Sequence, residues 1–588
     1  MDLSGLVLAA VDARGYRQVL GYREDTAPPD TNLLRLVPGV RLERQKLLVP
    51  CNLTREAKPW IVKPGQTTPS GLPLRGYQLE AIQFIEECPV GCLLCLDVGL
   101  GKGAITLEWL RNHPELRPFI VVGPLIASGA WVGENADPAK HFGMTIVALR
   151  TRMPSDELAA APEINQNDTN LVSPGVDGYF INYQILAGWT RQKNGVKETH
   201  PGWLPWLQMK VAAKVIVVDE SHEIRNYRVS YAKAVHKLCI AKSVQKRIFL
   251  SATPVVNKIF DLYHQLECVQ PGLWGHSVPF NENILTSWGQ RYCAASHNGH
   301  GWFLDGESNS VELRARLANV MIRRSRFDVR KELPPFERQC VQVPHELLDQ
   351  ESYKQYQSIA SLTIDAWKAA QGVLQGAELQ RSTGMFNYLS WAKRDVAAKQ
   401  AENLARSTEN RKLLVYCWHK RTAKYIVTML KRRCLHTFGP ITGETLLPKR
   451  MREAEAFRDL KLAPDGAAVC VATLKAAGQS LNPLSAASAV LFVDLYWVPQ
   501  VLLQAEGRVH REGQTASSVL ALYLTVKGSV DELMFRHLEK KAKFIANATG
   551  DKAATSLVEV LGGHSEEESL KNLVKELSGL SEADMRLS

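Results

Sequence analysis

The sequence predicts an α/β fold with parallel sheets in two lobes, helical protrusions and a small N-terminal module, and three observations predict it. The first is Leu94-Cys95-Leu96-Asp97-Val98-Gly99-Leu100-Gly101-Lys102-Gly103, an apolar run that breaks into glycines and leads into Ala104-Ile105-Thr106-Leu107. That is the pattern of a strand, a tight turn and a helix. The second is Val215-Ile216-Val217-Val218, four β-branched residues of a buried central strand, ending on Asp219-Glu220-Ser221-His222. The third lies in the second half, where Lys412 to Cys417, Val469 to Thr473 and Ala489 to Asp494 repeat the short buried-strand pattern.

Length and composition suit this class. A chain of 588 residues, 45% hydrophobic and 22% charged, has room for two or more domains with full cores. No apolar run approaches the roughly 18 residues of a membrane-spanning helix, and no basic leader opens the chain. The expected setting is therefore a cytoplasmic one, or nuclear in a eukaryote. Eleven scattered cysteines, an odd number, suggest free thiols in a reducing compartment. Cys92 and Cys95 fall on one strand, where i and i+3 point to opposite faces, which disfavours zinc. Cys293, His297 and His300 are spaced more like ligands, yet they sit in a loop-like stretch with no evident fourth partner.

The net charge is +11, while the tail from Asp551 carries eight acids against four bases, so the body is more basic than the whole. A basic body suits a polyanionic partner and equally suits a soluble basic surface.

In chain order, residues 1–70 form a small N-terminal module, with proline-rich connections and short strand patterns such as Leu47-Leu48-Val49. Residues 71–275 form the first lobe. An amphipathic helix with Leu79, Ile82 and Ile85 on one side precedes the glycine-rich loop. There, consecutive backbone N–H groups at the positive end of a helix make a cradle for phosphates, and Lys102 is placed to reach the terminal ones. Phe119 to Gly123 and Phe180-Ile181-Asn182-Tyr183 read as further strands or strand ends, and 151–178 as an irregular insertion. Asp219 stands where such sheets place ligands and can hold Mg²⁺, while Glu220 can orient and deprotonate a water. Arg247-Ile248-Phe249-Leu250 is a strand running into Ser251-Ala252-Thr253-Pro254.

The ordered set of loop lysine, Asp-Glu-Ser-His and Ser-Ala-Thr-Pro resembles motifs I, II and III of helicase superfamily 2. Gln504-Ala505-Glu506-Gly507-Arg508-Val509-His510-Arg511-Glu512-Gly513-Gln514 is similar to its motif VI. In detail the chain resembles SWI/SNF-type DNA translocases, above all the HARP annealing-helicase branch. The branch resemblance extends through the protrusion and linker at 276–345 and past Gly528-Ser529-Val530-Asp531-Glu532-Leu533, covering about 72–548. It implies two RecA-like lobes that bind ATP and Mg²⁺ between them and double-stranded or forked DNA across the top. It also implies that the second lobe occupies 406–548, after a helical segment at 346–405 and before an acidic tail at 549–588. The first 70 residues faintly resemble a HARP-like module.

By position, the resemblance makes Gln78 the adenine reader and Asp97, Gly99, Leu100, Gly101, Lys102 and Gly103 the phosphate loop. Gln504 joins the nucleotide site, Asp219 becomes the Mg²⁺ carboxylate and Glu220 the catalytic base. Arg508 and Arg511 become arginine fingers, a role that suits a planar, permanently charged guanidinium facing a γ-phosphoryl transition state. His222, Ser251 and Thr253 would relay lobe closure to loops that touch DNA, among them Asn182, Tyr183 and the turn at Gly478. Three residues depart from the family pattern. Gly103 replaces the Ser or Thr that ligates Mg²⁺, leaving water or Thr106 to substitute, and Ser480 and Val498 replace a glycine and an asparagine.

The implied activity is DNA-dependent ATP hydrolysis with translocation, serving fork remodelling or strand annealing as in DNA repair. A nucleotide-gated DNA-binding module with little turnover and a nucleosome or protein-displacing remodeller remain open alternatives. Protein partners are not legible.

Overall fold

The computed structural model describes residues 6–8, 16–22, 41–43 and 46–50, and then 67–538 apart from 133–135, 150–174, 194–195, 201, 257, 275–287, 298–301, 305, 326–328, 330–332, 370–376, 434, 478–481, 497–498, 512–513, 533 and 535–537. The insertion expected at 151–178 and the acidic tail therefore lie largely or wholly outside the described residues. Two compact units emerge, one running to Val329 and one beginning at Arg330.

The first unit holds a seven-stranded parallel sheet. Its order across the sheet is Met321–Arg324, Gly91–Leu96, Lys246–Leu250, Val215–Asp219, Phe119–Gly123, Gly178–Asn182 and Ile146–Leu149. Parallel strands covered on both faces read as continuous apolar runs, and every residue of Gly91–Leu96 is indeed buried. Gly91 admits no side chain, because a Cβ there would lie 2.7 Å from the carbonyl oxygens of both Arg247 and Val269. The helix Gly76–Glu87 begins earlier than the sequence suggests, so Arg75 is its cap and Gln78 lies in its first turn. Its C-terminal carbonyls of Ile85 and Cys88 both accept from the buried Lys246 ammonium, a cation at a helix's negative end. The N-terminal strands Leu6–Leu8, Tyr16–Tyr22, Lys46–Pro50 and Arg41–Glu43 form a separate antiparallel sheet in that order. Two small hairpins, Trp189–Lys193 with Val196–His200 and Ser296–His297 with Trp302–Phe303, complete the strands of this unit.

The second unit carries a six-stranded parallel sheet ordered Phe336–Val343, Val519–Val526, Ala489–Phe492, Lys412–Cys417, Ala468–Thr473 and His436–Ile441. Phe336–Val343 comes from the stretch expected to link the lobes, yet it is an edge strand of the second sheet, paired along its length with Val519–Val526. The helices Gln350–Ala369, Ala377–Ala392 and Arg394–Ser407 belong to the same unit. Tyr353, Tyr356, Leu389 and Ala397 share one apolar core with Leu413, Val415, Val469 and Leu491 of the sheet. Tyr353 and Tyr356 are thus core residues of the lobe.

Candidate nucleotide site and its relay

The first-lobe residues expected to bind nucleotide converge on the C-terminal edge of the first sheet. Gly91–Leu96 delivers the chain to a turn in which Gly99 and Gly101 both take left-handed backbone, with φ of 86° and 78°. Gly101 caps the helix Lys102–Arg111, and a Cβ on it would lie 2.5 Å from the Gln78 amide nitrogen. Gln78 braces the loop from the other side. Its Oε1 accepts from the Arg75 backbone N–H at 2.9 Å, and its Nε2 donates to the Leu100 carbonyl at 3.4 Å. Lys102 folds over the loop and donates to the Leu96 and Asp97 carbonyls at 2.8 and 3.4 Å. Gly103 lies in the first turn of the helix. Thr106, one turn further along the helix, is fully buried, and its Oγ1 donates to the Lys102 carbonyl at 2.9 Å.

The acidic pair lies two strands across the sheet from the loop strand. Asp219 Oδ1 accepts the Glu220 N–H at 3.0 Å and Oδ2 accepts the Trp131 indole N–H at 2.9 Å. Burial and the adjacent Glu220 push the Asp219 carboxyl up to about 6. Glu220 itself takes φ +51°, left-handed backbone that a residue with a Cβ adopts at a cost of about 1–2 kcal/mol. Its Oε2 lies 3.4 Å from His222 Nδ1, and the same nitrogen lies 3.1 Å from Ser251 Oγ. Burial holds the His222 imidazole down to about 4, so it is neutral near pH 7. Ser251 Oγ also accepts the Thr253 backbone N–H at 3.1 Å. Glu220, His222, Ser251 and Thr253 thus form one contiguous chain of contacts.

Two residues expected to touch DNA also have structural roles. Asn182 caps the helix Tyr183–Ala187, its side chain accepting from the Gln184 and Ile185 N–H groups at 3.0 and 3.1 Å. Tyr183 is buried, and its hydroxyl donates to the Asp219 carbonyl at 2.6 Å. Tyr183 thereby ties its helix to the backbone of the acidic pair. Gly478, Ser480 and Val498 lie outside the described residues.

Sequence reasoning missed Trp131 and Arg323. Arg323 donates to the Ala252 carbonyl at 2.8 Å and meets Asp97 at 3.4 Å, tying the loop to the Ser-Ala-Thr-Pro segment. Neither residue carries a recognisable local pattern, since their partners are 88 and 226 positions away.

In the second unit, Gln504 lies in the helix Pro499–Glu506 and Arg508 is buried just beyond it, followed by partly buried Arg511. The intervening Glu506 is fully buried and accepts two bonds from Arg338, at 2.6 and 2.8 Å, and one from the Tyr523 hydroxyl at 2.7 Å. His510 Nε2 sits 2.9 Å from the Pro334 carbonyl and its ring stacks on Phe336 with centroids 4.8 Å apart. The segment entering the second sheet therefore grips the arginine-bearing turn at two points.

Fold and site together define a parallel α/β protein with a glycine-rich loop, an acidic pair two strands away at the same edge of the sheet and a second, arginine-bearing lobe. The profile of the SNF2-related domain matches residues 77–401, more than half of the chain, and that of the helicase conserved C-terminal domain matches 396–513. The chain belongs to the SNF2-related domain family. It is 27% identical to the SWI/SNF-related matrix-associated actin-dependent regulator of chromatin subfamily A-like protein 1 of Xenopus tropicalis, over 81% of this chain and 45% of that protein. It is 28% identical to human DNA annealing helicase and endonuclease ZRANB3, over 79% of this chain and 39% of that one. The chain spans less than half the length of these relatives. The solved Sulfolobus solfataricus SWI2/SNF2 ATPase core in complex with dsDNA aligns over 87% of this chain and 98% of its own at 18% identity, with a TM-score of 0.36, too loose a superposition to bear on function. Among the described residues no helix is long and apolar enough to cross a membrane.

Proposed function

We propose that the chain is a DNA-dependent ATPase that translocates on double-stranded or branched DNA and serves fork remodelling or strand annealing. The observation that carries the reading is the continuous contact path from the acidic pair through His222 to Ser251 and Thr253. A hydrolytic site needs a base and a cation-binding carboxylate, and a motor also needs that site wired to elements that move with its track. Annealing is named in the human relative, and the basic charge of the whole chain suits a DNA partner.

In this reading Lys102 and the loop N–H groups hold the triphosphate, and Gln78 faces the base. Glu220 takes the proton of the attacking water while Arg508 and Arg511 meet the charge developing on the γ-phosphoryl group. The hard carboxylate oxygens of Asp219 fit Mg²⁺. Bound with ATP, Mg²⁺ would neutralise phosphate charge. His222, neutral and placed between Glu220 and Ser251, passes the state of the acidic pair to the segment that follows.

The test is steady-state ATP hydrolysis with Mg²⁺, without DNA, with plain duplex and with forked DNA, beside Glu220→Gln. DNA stimulation abolished by Glu220→Gln, with forked DNA the better activator, is expected. Equal stimulation by both DNAs would remove the fork-specific part and leave a simple translocase. Tight nucleotide and DNA binding without turnover would instead identify a nucleotide-gated binding module, the alternative that Gly103 favours.

A further inference from the structure

Gly103 leaves the phosphate loop without the hydroxyl that such loops carry after their lysine. Ala104 and Ile105 have no hydroxyl, and the next one along the helix, on Thr106, is fully buried and turned back onto the Lys102 carbonyl. Beside Gly103 lies the indole of Trp131, whose Cζ2 is 3.8 Å from where a Cβ on residue 103 would be. Trp131 ends the short helix Ser128–Trp131 and is 3% exposed, so its ring is fixed by packing. Its N–H points at the acidic pair and donates to Asp219 Oδ2 at 2.9 Å.

We propose that Trp131 is a positioning residue for the cation-binding carboxylate, holding Asp219 in the absence of a hydroxyl at position 103. The proposal rests on the reading of Asp219 as the Mg²⁺ ligand of an ATP site. A carboxylate has about four acceptor positions, two on each oxygen. In this structure Oδ1 has one filled by the Glu220 N–H and Oδ2 one filled by the Trp131 N–H. The carboxylate plane is thereby locked from both sides while each oxygen keeps an open position for a cation or its water. An indole N–H donates only, so Trp131 orients the ligand without competing for the metal. Partners of this outer kind typically change metal affinity by about 10- to 100-fold when removed.

The experiment titrates Mg²⁺ into the full chain with a fluorescent, non-hydrolysable ATP analogue, for the parent, Trp131→Phe, Gly103→Ser and the double variant. Trp131→Phe keeps most of the ring's packing and deletes the donor. It should raise the Mg²⁺ concentration for half-maximal binding by about 10-fold or more while leaving binding of the analogue in EDTA unchanged. Gly103→Ser adds a direct oxygen ligand and should lower the midpoint in the parent and in Trp131→Phe alike, leaving the roughly 10-fold gap between the two backgrounds in place. An unchanged Mg²⁺ midpoint in Trp131→Phe, or equal losses with and without Mg²⁺, would overturn the proposal and reduce Trp131 to a packing residue. A parent that binds the analogue with no Mg²⁺ dependence would overturn the nucleotide-site reading itself, a different result from either.

Discussion

Asp219 in the first unit and Glu506 in the second are both carboxylates beside a proposed catalytic residue, and they are held in opposite ways. Glu506 is sealed, with a bidentate bond from Arg338, a Tyr523 hydroxyl on one oxygen and no exposed surface. Asp219 meets two neutral N–H donors, remains partly exposed, and has its carboxyl pushed up to about 6 by burial and Glu220. A buried charge with a complete ion pair is stable and inert, and its role is to fix geometry. A carboxylate held without a charged partner keeps its capacity to bind a cation. The contrast suits Glu506 to architecture and supports the proposal that Asp219 and Glu220 carry the chemistry.

Four measurements would break or sharpen this contrast. The largest effect is expected from Glu220→Gln, which should lower ATP turnover by about 10²- to 10⁴-fold, the usual worth of a general base, with nucleotide binding retained. A fall in binding instead of turnover would move Glu220 out of the chemistry. Next comes Arg338→Ala, which strands Glu506 as a buried unpaired charge and should cost about 3–5 kcal/mol of second-lobe stability in denaturant unfolding. Arg338→Met combined with Glu506→Leu should recover most of that loss. If the double variant stays as unstable as the single, the pair contributes more than architecture.

Smaller again is Ser251→Ala, which deletes the contact with His222. About 1 kcal/mol of coupling corresponds to a roughly fivefold narrowing between DNA-stimulated and basal turnover. A proportional fall of both rates would show that the path does not carry coupling. The smallest effect concerns Asp349, bonded to Arg394 at 2.8 Å on the surface of the second lobe. Arg394 and Ser352 hold its carboxyl below the usual range. A depressed folded-state pKa contributes stability above the unfolded value, near 4, and loses it as pH falls further. Asp349→Asn should therefore cost under about 1 kcal/mol at pH 7, shrinking toward zero below pH 4.

The parts legible in the sequence were those whose signal is local. A β-branched run, a glycine turn and a carboxylate pair each lie within about ten residues, and the structure places the loop and the acidic pair at the C-terminal edge of one sheet. Trp131 and Arg338 were illegible because their partners lie 88 and 168 positions away, and only sheet order brings them close. Asn182 and Tyr183 have structural roles that their sequence pattern does not disclose. A polar pair at a strand end resembles a ligand-facing loop, but Asn182 spends its side chain on a helix cap and Tyr183 points inward. The linker was misjudged for a similar reason. The mixed pattern of 336–343 reads as a connection, although half-buried residues are what an edge strand presents.

The left-handed backbone at Glu220 places that position under two opposed demands. Glycine or asparagine would sit there with less strain, yet neither reaches forward with a carboxylate. An inactive Glu220→Asn protein can therefore melt no lower than the active one. A screen that ranks variants by thermal robustness would retain such a protein, and a lineage released from the need to hydrolyse would drift toward it.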